Sequence, residues 1–275
     1  MPFGAMNFPI RPVLEEIETF SALGFDYLEL AMDPPAAHHA QLQAQRGAIL
    51  DSLAQHQMGL VCHLPTFIHT ADLTESIRRA SREELLASIE VAAGLGARKA
   101  VIHPSYIGGM GRNVPELSQR YARESLRAAL ACADRLNIKL CLENLFPRLT
   151  PFGDVAHWEQ LFAQYPQLGM TLDVGHAHIG PGGMNRILTY IQTFRSRIKH
   201  LHISDNLGRR DDHLPIGEGK IDFEAVVRAL RQIGYAGGFT LEIFSDDRAD
   251  LARSRDRLAA MLACLSVLTV NAHLI

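Results

Sequence analysis

At 275 residues, 47% of them hydrophobic and 21% charged, the chain is long enough to bury a full core, as one α/β barrel or as two smaller domains. A net charge of −3 and a pI of about 6.5 create no global basic field for nucleic acid, leaving only a local basic patch open. Cys62, Cys132, Cys141 and Cys264 lack C-x-x-C spacing, Met1–Ile10 lacks the basic start and long apolar run of a leader, and Leu258–Val270 falls short of the roughly 20 residues that cross a bilayer, so buried free thiols and a cytoplasmic chain without a membrane span are expected.

Ala5–Phe8 reads as a short first strand, and Pro12 opens a helix that runs to Leu23 and stops at Gly24. Phe25–Leu30 is the second strand, with Glu29 near its end; a Pro/Ala/His loop, Asp33–His39, leads into a helix over 40–57. Met58–His63 is the third strand, ended by Pro65, and Thr74–Leu95 is helical, with Gly94 and Gly96 marking its exit. Arg98–His103 is the fourth strand, followed by Pro104, a loop Gly108-Gly-Met-Gly111 and a helix over Pro115–Leu136. Ile138–Glu143 is the fifth, and a loop with Pro147 and Pro151 precedes a helix over 154–164. Gly169–Asp173 is the sixth, with a Gly-Pro-Gly-Gly loop before a helix over 184–194. Ile198–Ser204 is the seventh; the longest loop, Asp205–Ile221, follows, then a helix over Asp222–Ile233 with Asp222 as its N-cap. Gly238–Ile243 is the eighth strand and 247–270 the last helix.

Short apolar strands in strict alternation with amphipathic helices mean a parallel sheet covered by helices. Eight such units in this length fit a single-domain (β/α)8 TIM barrel over residues 1–275 better than an open doubly wound sheet. No G-x-G-x-x-G follows the first strand, which weakens a dinucleotide-binding reading.

In such a barrel the chemistry sits where the strands end. The residues there are His63, His103, Glu143, Asp173, His176, His202 and Glu242, with Asp211 and His213 in the loop after the seventh strand. Singly, each has a plainer explanation: a strand-end histidine is more often hydrogen-bonded than metal-bound, and a buried glutamate is often paired to a base. Lys99, Lys139 and Lys199, however, lie at strand starts, at the opposite end from Glu143 and Glu242. A cation at the mouth answers five imidazoles and four carboxylates together. Mixed nitrogen and oxygen ligands suit Zn²⁺, Mn²⁺ or Co²⁺ better than Ca²⁺ or Mg²⁺, and nine ligands can serve one to three ions.

These motifs carry a family resemblance. His63-Leu-Pro, Val101-Ile-His-Pro104, Leu142-Glu-Asn144, Asp173-Val-Gly-His-Ala-His178, His200-Leu-His-Ile-Ser-Asp205, Asp212-His-Leu-Pro-Ile-Gly-Glu-Gly219 and Leu241-Glu-Ile243 resemble the xylose isomerase-like TIM-barrel superfamily, which includes sugar isomerases, ketose 3-epimerases and endonuclease IV. Resemblance to the 3-epimerases implies one cation on Glu143, Asp173, His202 and Glu242, with Glu143 and Glu242 exchanging a proton beside a carbonyl. It also implies a small carbohydrate as substrate, His176 contacting it, and Arg209 or Arg210 binding it from the seventh loop. Glu29 and Asn144 are expected to orient ligands or touch substrate hydroxyls, and homodimers formed through barrel-top loops are implied by analogy. Resemblance to endonuclease IV implies instead a multi-zinc phosphodiester hydrolase acting on abasic DNA, using all nine positions. Against that reading, Ala31–Ala40 carries no arginine, and the top loops offer mainly Arg112, Arg148, Arg186, Arg209 and Arg210 to phosphates. A ligand-binding barrel without catalysis is the third class.

Overall fold

The computed structural model describes residues 1–146 and 155–271, with side chains through Cys264. The expected loop at Pro147 and Pro151, Arg148 and the start of the helix placed at 154 lie outside the described residues. Strands β1 (Phe3–Met6), β2 (Tyr27–Ala31), β3 (Gly59–His63), β4 (Lys99–Ile102), β5 (Lys139–Glu143), β6 (Gly169–Asp173), β7 (Ile198–Ile203) and β8 (Phe239–Leu241) pair in parallel, each with the next, and β8 closes on β1. Around this closed (β/α)8 barrel run α1 (Val13–Ala22), α2 (His39–Ala44), α3 (Arg46–Gln55), α4 (Glu75–Gly94), α5 (Pro115–Arg135), α6 (Val155–Gln164), α7 (Val174–His178), α8 (Gly183–Thr193), α9 (Phe223–Gln232) and α10 (Ala249–Asn271).

Successive side chains of a strand point to opposite faces, so each strand feeds two interiors. Leu28, Leu30, Ile102, Leu142, Leu172, Leu201 and Leu241 join the helices in the large apolar core. Tyr27, Val61 and Val101 form a separate small cluster. Their odd-numbered parity is shared by Glu29, His63, His103, Glu143 and Asp173, and those polar side chains therefore sit above an apolar floor. The Tyr27 ring fits against β1 because Gly4 has no side chain: a Cβ there would lie 2.1 Å from Tyr27 Cε2. On the outside, α9 illustrates the helix logic. Phe223, Val226, Val227 and Leu230 recur at helical spacing and are buried, while Asp222 accepts from Ala225 N at 2.9 Å and caps the first turn.

Three expectations change. The helix over 40–57 is two helices, because Gln45 leaves helical geometry (φ −98°, ψ 8°) and α2 packs on α4 while α3 packs on α1, directions one straight rod cannot serve. β1 starts at Phe3, whose ring stacks on Phe239 of β8, and ends before Phe8, which is exposed beside Phe244. Cys62, Cys132 and Cys141 are buried free thiols, whereas Cys264 is exposed on α10. Among the described residues no helix is long and apolar enough to cross a membrane.

Candidate metal centre

Register brings the polar residues to one level. Asp173 pairs with His202 across β6 and β7, and His202 pairs with Thr240 on β8, two residues before Glu242 on the same face. A bulge between Met170 and Thr171 skips Lys199, which is exposed, and thereby sets both His200 and His202 facing inward. Glu143, Asp173, His202 and Glu242 each offer a ligand atom, all within 4.8 Å of one another, and all four residues are buried. His202 Nδ1 lies 3.2 Å from both Glu143 Oε2 and Glu242 Oε2, and 3.7 Å from Asp173 Oδ2. Glu143 Oε1, Asp173 Oδ2, His202 Nδ1 and Glu242 Oε2 are buried without a hydrogen bond. Buried polar atoms left in that condition are costly, and three carboxylates gathered on one imidazole need positive charge. The donor set and its orphaned atoms fit a divalent cation.

Asp173 also has a local duty. Its Oδ1 accepts from His176 N at 2.5 Å and caps α7, so the D-x-x-H spacing ends in a helical turn rather than an open one. Its Oδ2 is left facing the centre. Burial pushes the Asp173 carboxyl up to about 7; Glu143 and Glu242 add to the rise and His176 opposes it. Burial raises Glu143 too, but His202 and His103 outweigh it and hold that carboxyl well below the usual range. Glu242 is likewise held low, because His213 and His202 outweigh its burial.

Two further groups flank this one. His63 Nε2 and His103 Nε2 both lie 3.3 Å from Glu143 Oε2, making Glu143 the shared member of a second possible ligand set. On the other flank, Asp211 Oδ2 lies 2.9 Å from His176 Nε2 and 3.0 Å from His213 Nε2. His176 Nδ1 is 3.0 Å from Glu143 Oε1. The nine strand-end and loop residues singled out from the sequence thus form one continuous network.

Residues 17–264 match the family described as xylose isomerase-like TIM barrel. The chain belongs to that family. Among its relatives, the uncharacterized protein MJ1311 of Methanocaldococcus jannaschii is 27% identical over 278 residues, spanning 95% of this chain and 89% of the relative. L-ribulose-5-phosphate 3-epimerase UlaE of Escherichia coli O1:K1 is 24% identical over 263 residues, spanning 91% and 90%. The fold is similar to a solved D-tagatose 3-epimerase-like protein, with a TM-score of 0.87, 24% identity, and coverage of 98% of this chain and 100% of that one.

The other candidate residues lie outside the ligand set. Arg209 and Arg210 are exposed; Arg210 turns to Asp212 at 2.8 Å and its side chain is 85% exposed. Neither arginine is among the residues that line the cavity beside the centre, although Asp211 of the same loop is. Asn144 is committed to the neighbouring strand: its Nδ2 donates to Asp173 O at 2.8 Å and its Oδ1 accepts from Asp173 N at 2.9 Å. Asn144 thus clamps the Asp173 peptide from the neighbouring strand. Glu29 is fully buried, one layer below the ligands, bonded to His200, His202 and Thr240. Arg186 is also taken up, donating to Ala177 O, Ile179 O and Pro181 O.

Sequence reasoning missed His200 and Asp205. The alternation His200-Leu-His202 on a strand was the signal for His200, since both must face one side. Asp205 was singled out only as the first residue of the longest loop. In the fold it is buried and accepts four backbone N–H groups: Asn206 at 2.9 Å and Ile221 at 3.1 Å on Oδ1, Gly217 at 2.9 Å and Gly219 at 3.0 Å on Oδ2. Gly219 is confined to glycine by this approach, since a Cβ would lie 2.2 Å from Asp205 Oδ1. Beside the centre opens a cavity of about 470 Å³ whose wall includes His176, Asp211, His103, Tyr106, Leu126 and Phe146. Arg123 is the one guanidinium among the described residues of that wall.

Proposed function

We propose that this chain is a metal-dependent epimerase or isomerase acting on a small ketose sugar or a related ketone. The observation that carries the reading is the buried quartet Glu143, Asp173, His202 and Glu242, with one unpartnered atom on each. Those four residues would hold the ion, Zn²⁺, Mn²⁺ or Co²⁺ by ligand type. When bound, the cation supplies Lewis acidity that polarises a carbonyl oxygen and lowers the cost of negative charge on it. Glu143 and Glu242 each come within 3.2 Å of His202 Nδ1, and a carbon held between them would meet a carboxylate on each face. One carboxylate takes the proton and the other delivers one to the opposite face, inverting the carbon. Neighbouring imidazoles hold both carboxyls low, so each rests as a base, and the one that delivers must first take up a proton from solvent, which the direction of reaction selects. His176, braced by Asp211, is placed to contact a substrate oxygen. Relatives named as 3-epimerases support the same reaction class.

The apolar cavity wall, with Arg123 alone among its described residues to meet a phosphate, favours an unphosphorylated ketose. His63 and His103 beside Glu143 support a second ion, and Asp211 between His176 and His213 a third, giving one to three in all. They are also what favours the second reading, a multi-zinc hydrolase of abasic DNA; the scarcity of cationic side chains at the described mouth weighs against it.

The test is incubation of the protein with a panel of ketoses and their phosphates in D₂O, with Mn²⁺, Co²⁺ or Zn²⁺ added. The expected result is deuterium at the carbon beside the carbonyl, together with the epimer or isomer, abolished by chelator. Absence of exchange with every ketose and every metal, alongside chelator-sensitive nicking of an abasic duplex, would transfer the protein to the hydrolase reading.

A further inference from the structure

Below the quartet lies a second, buried polar layer. Its centre is Glu29, 0% exposed inside the barrel. Glu29 Oε2 accepts from Thr240 Oγ1 at 2.5 Å and lies 2.6 Å from His200 Nε2; Glu29 Oε1 lies 2.9 Å from His202 Nε2. Tyr27 OH meets Thr240 Oγ1 at 2.8 Å and completes the layer. The protons in this chain can be assigned by elimination. Lys99 Nζ has only donors to give, and it lies 3.5 Å from His200 Nδ1 and 2.7 Å from Lys199 O. His200 Nδ1 is therefore an acceptor, and its ring proton sits on Nε2, toward Glu29. Thr240 and His200 then occupy Oε2, which leaves Oε1 to a single donor, His202 Nε2–H. With a cation bound, His202 is neutral and carries one N–H, so its Nδ1 keeps a lone pair and turns it toward the side of Glu143, Asp173 and Glu242.

We propose that Glu29, backed by His200 and Lys99, is a positioning residue that locks His202 in the Nε2–H tautomer and thereby sets the affinity of the barrel for its cation. This rests on the metal-site part of the reading above and not on the substrate. A carboxylate that holds a histidine from behind fixes ring orientation and makes the facing nitrogen a better ligand, and its loss elsewhere weakens metal binding by roughly 10–100-fold. Glu29→Gln exposes the mechanism, because an amide has one acceptor oxygen and one donor nitrogen. It can satisfy His200 or His202, and the other ring must meet an N–H with an N–H or change tautomer.

The experiment measures the Zn²⁺ dissociation constant by chelator competition for the parent chain, Glu29→Gln and Tyr27→Phe. It adds a long-range ¹H–¹⁵N correlation spectrum of the Zn²⁺-loaded parent. Tyr27→Phe removes a hydroxyl from the same layer without touching Glu29, and is expected to shift the constant less than threefold. Glu29→Gln is expected to weaken binding by roughly 10–100-fold with its fold intact by circular dichroism. The spectrum is expected to place the His202 proton on Nε2. A folded Glu29→Gln with parental affinity overturns the proposal, as does a His202 proton on Nδ1 in the loaded parent or equal losses in the two variants. If Glu29→Gln does not fold, the tautomer of the parent decides alone. A parent that takes up no Zn²⁺ defeats the metal reading itself, an outcome distinct from any of these.

Discussion

Asp205→Asn is the substitution whose cost can be worked most directly from the structure. The carboxylate accepts four backbone N–H groups, two on each oxygen, at 2.9–3.1 Å. The amide keeps the shape but turns one oxygen into an NH₂, so two of the four donors face a donor. Stranding a buried N–H costs about 1–3 kcal/mol, and two therefore cost about 2–6 kcal/mol. The loss falls on the segment from Asp205 to Ile221 that these bonds gather, which carries Asp211 and His213. It leaves the strands bearing Glu143, Asp173, His202 and Glu242 in place. Even the lower figure raises the opening equilibrium of the loop by about 30-fold. Arg209, Arg210 and Lys220 are exposed there and serve as reporters. Trypsin should cut after them at least about 30-fold faster in Asp205→Asn when opening equilibrates before cleavage. Amide exchange should accelerate at Gly217, Gly219 and Ile221 by the same factor, while that of β5 and β6 stays parental. Parental exchange at those three amides would refute the assignment of Asp205 as the anchor of the loop.

Three further outcomes are expected. Glu143→Gln removes a member common to both candidate ligand sets and should abolish solvent-deuterium exchange and lower metal content per chain, measured by atomic emission; unchanged metal content would remove Glu143 from the site. Gly4→Ala drives a methyl to 2.1 Å from the buried Tyr27 ring and should cost about 1–3 kcal/mol in urea unfolding, with a cost under about 0.5 kcal/mol showing that β1 yields freely. With the Asp173 carboxyl raised to about 7, the ion displaces the Asp173 proton below that pH and little of it above, in addition to the proton that His202, also raised, gives up. Calorimetric titration in buffers of different ionisation enthalpy should therefore show proton release on metal uptake falling as pH rises from 6 to 8, and release that is flat with pH would contradict the burial-raised Asp173.

The ligand positions were legible because barrels enforce a rule that a linear chain displays. A strand alternates its side chains, and its C-terminal end faces the mouth, so an apolar run closing on Glu143, on Asp173 or on Leu241-Glu-Ile243 announces a polar group over an apolar floor. The same rule, applied once more to His200-Leu-His202, would have found the layer below. The surroundings of Arg209, Arg210 and Asn144 were not legible, because loops and asparagines answer to no such period. Their partners, Asp212 for Arg210 and the Asp173 peptide for Asn144, depend on how the chain folds back.

What the amino-acid order determined by itself was periodicity: eight apolar runs, the helices between them, and the chemical types at the runs' ends. Tertiary structure decided everything that turns on register and on partners. The bulge at β6 and β7 that aligns His202 with Asp173, the break at Gln45, the four N–H groups on Asp205 and the grip of Glu29 on two imidazoles all join residues far apart in the chain. Periodicity is a property of neighbours, whereas a hydrogen bond or an ion pair needs two groups in one place, and only closure of the barrel brings them there.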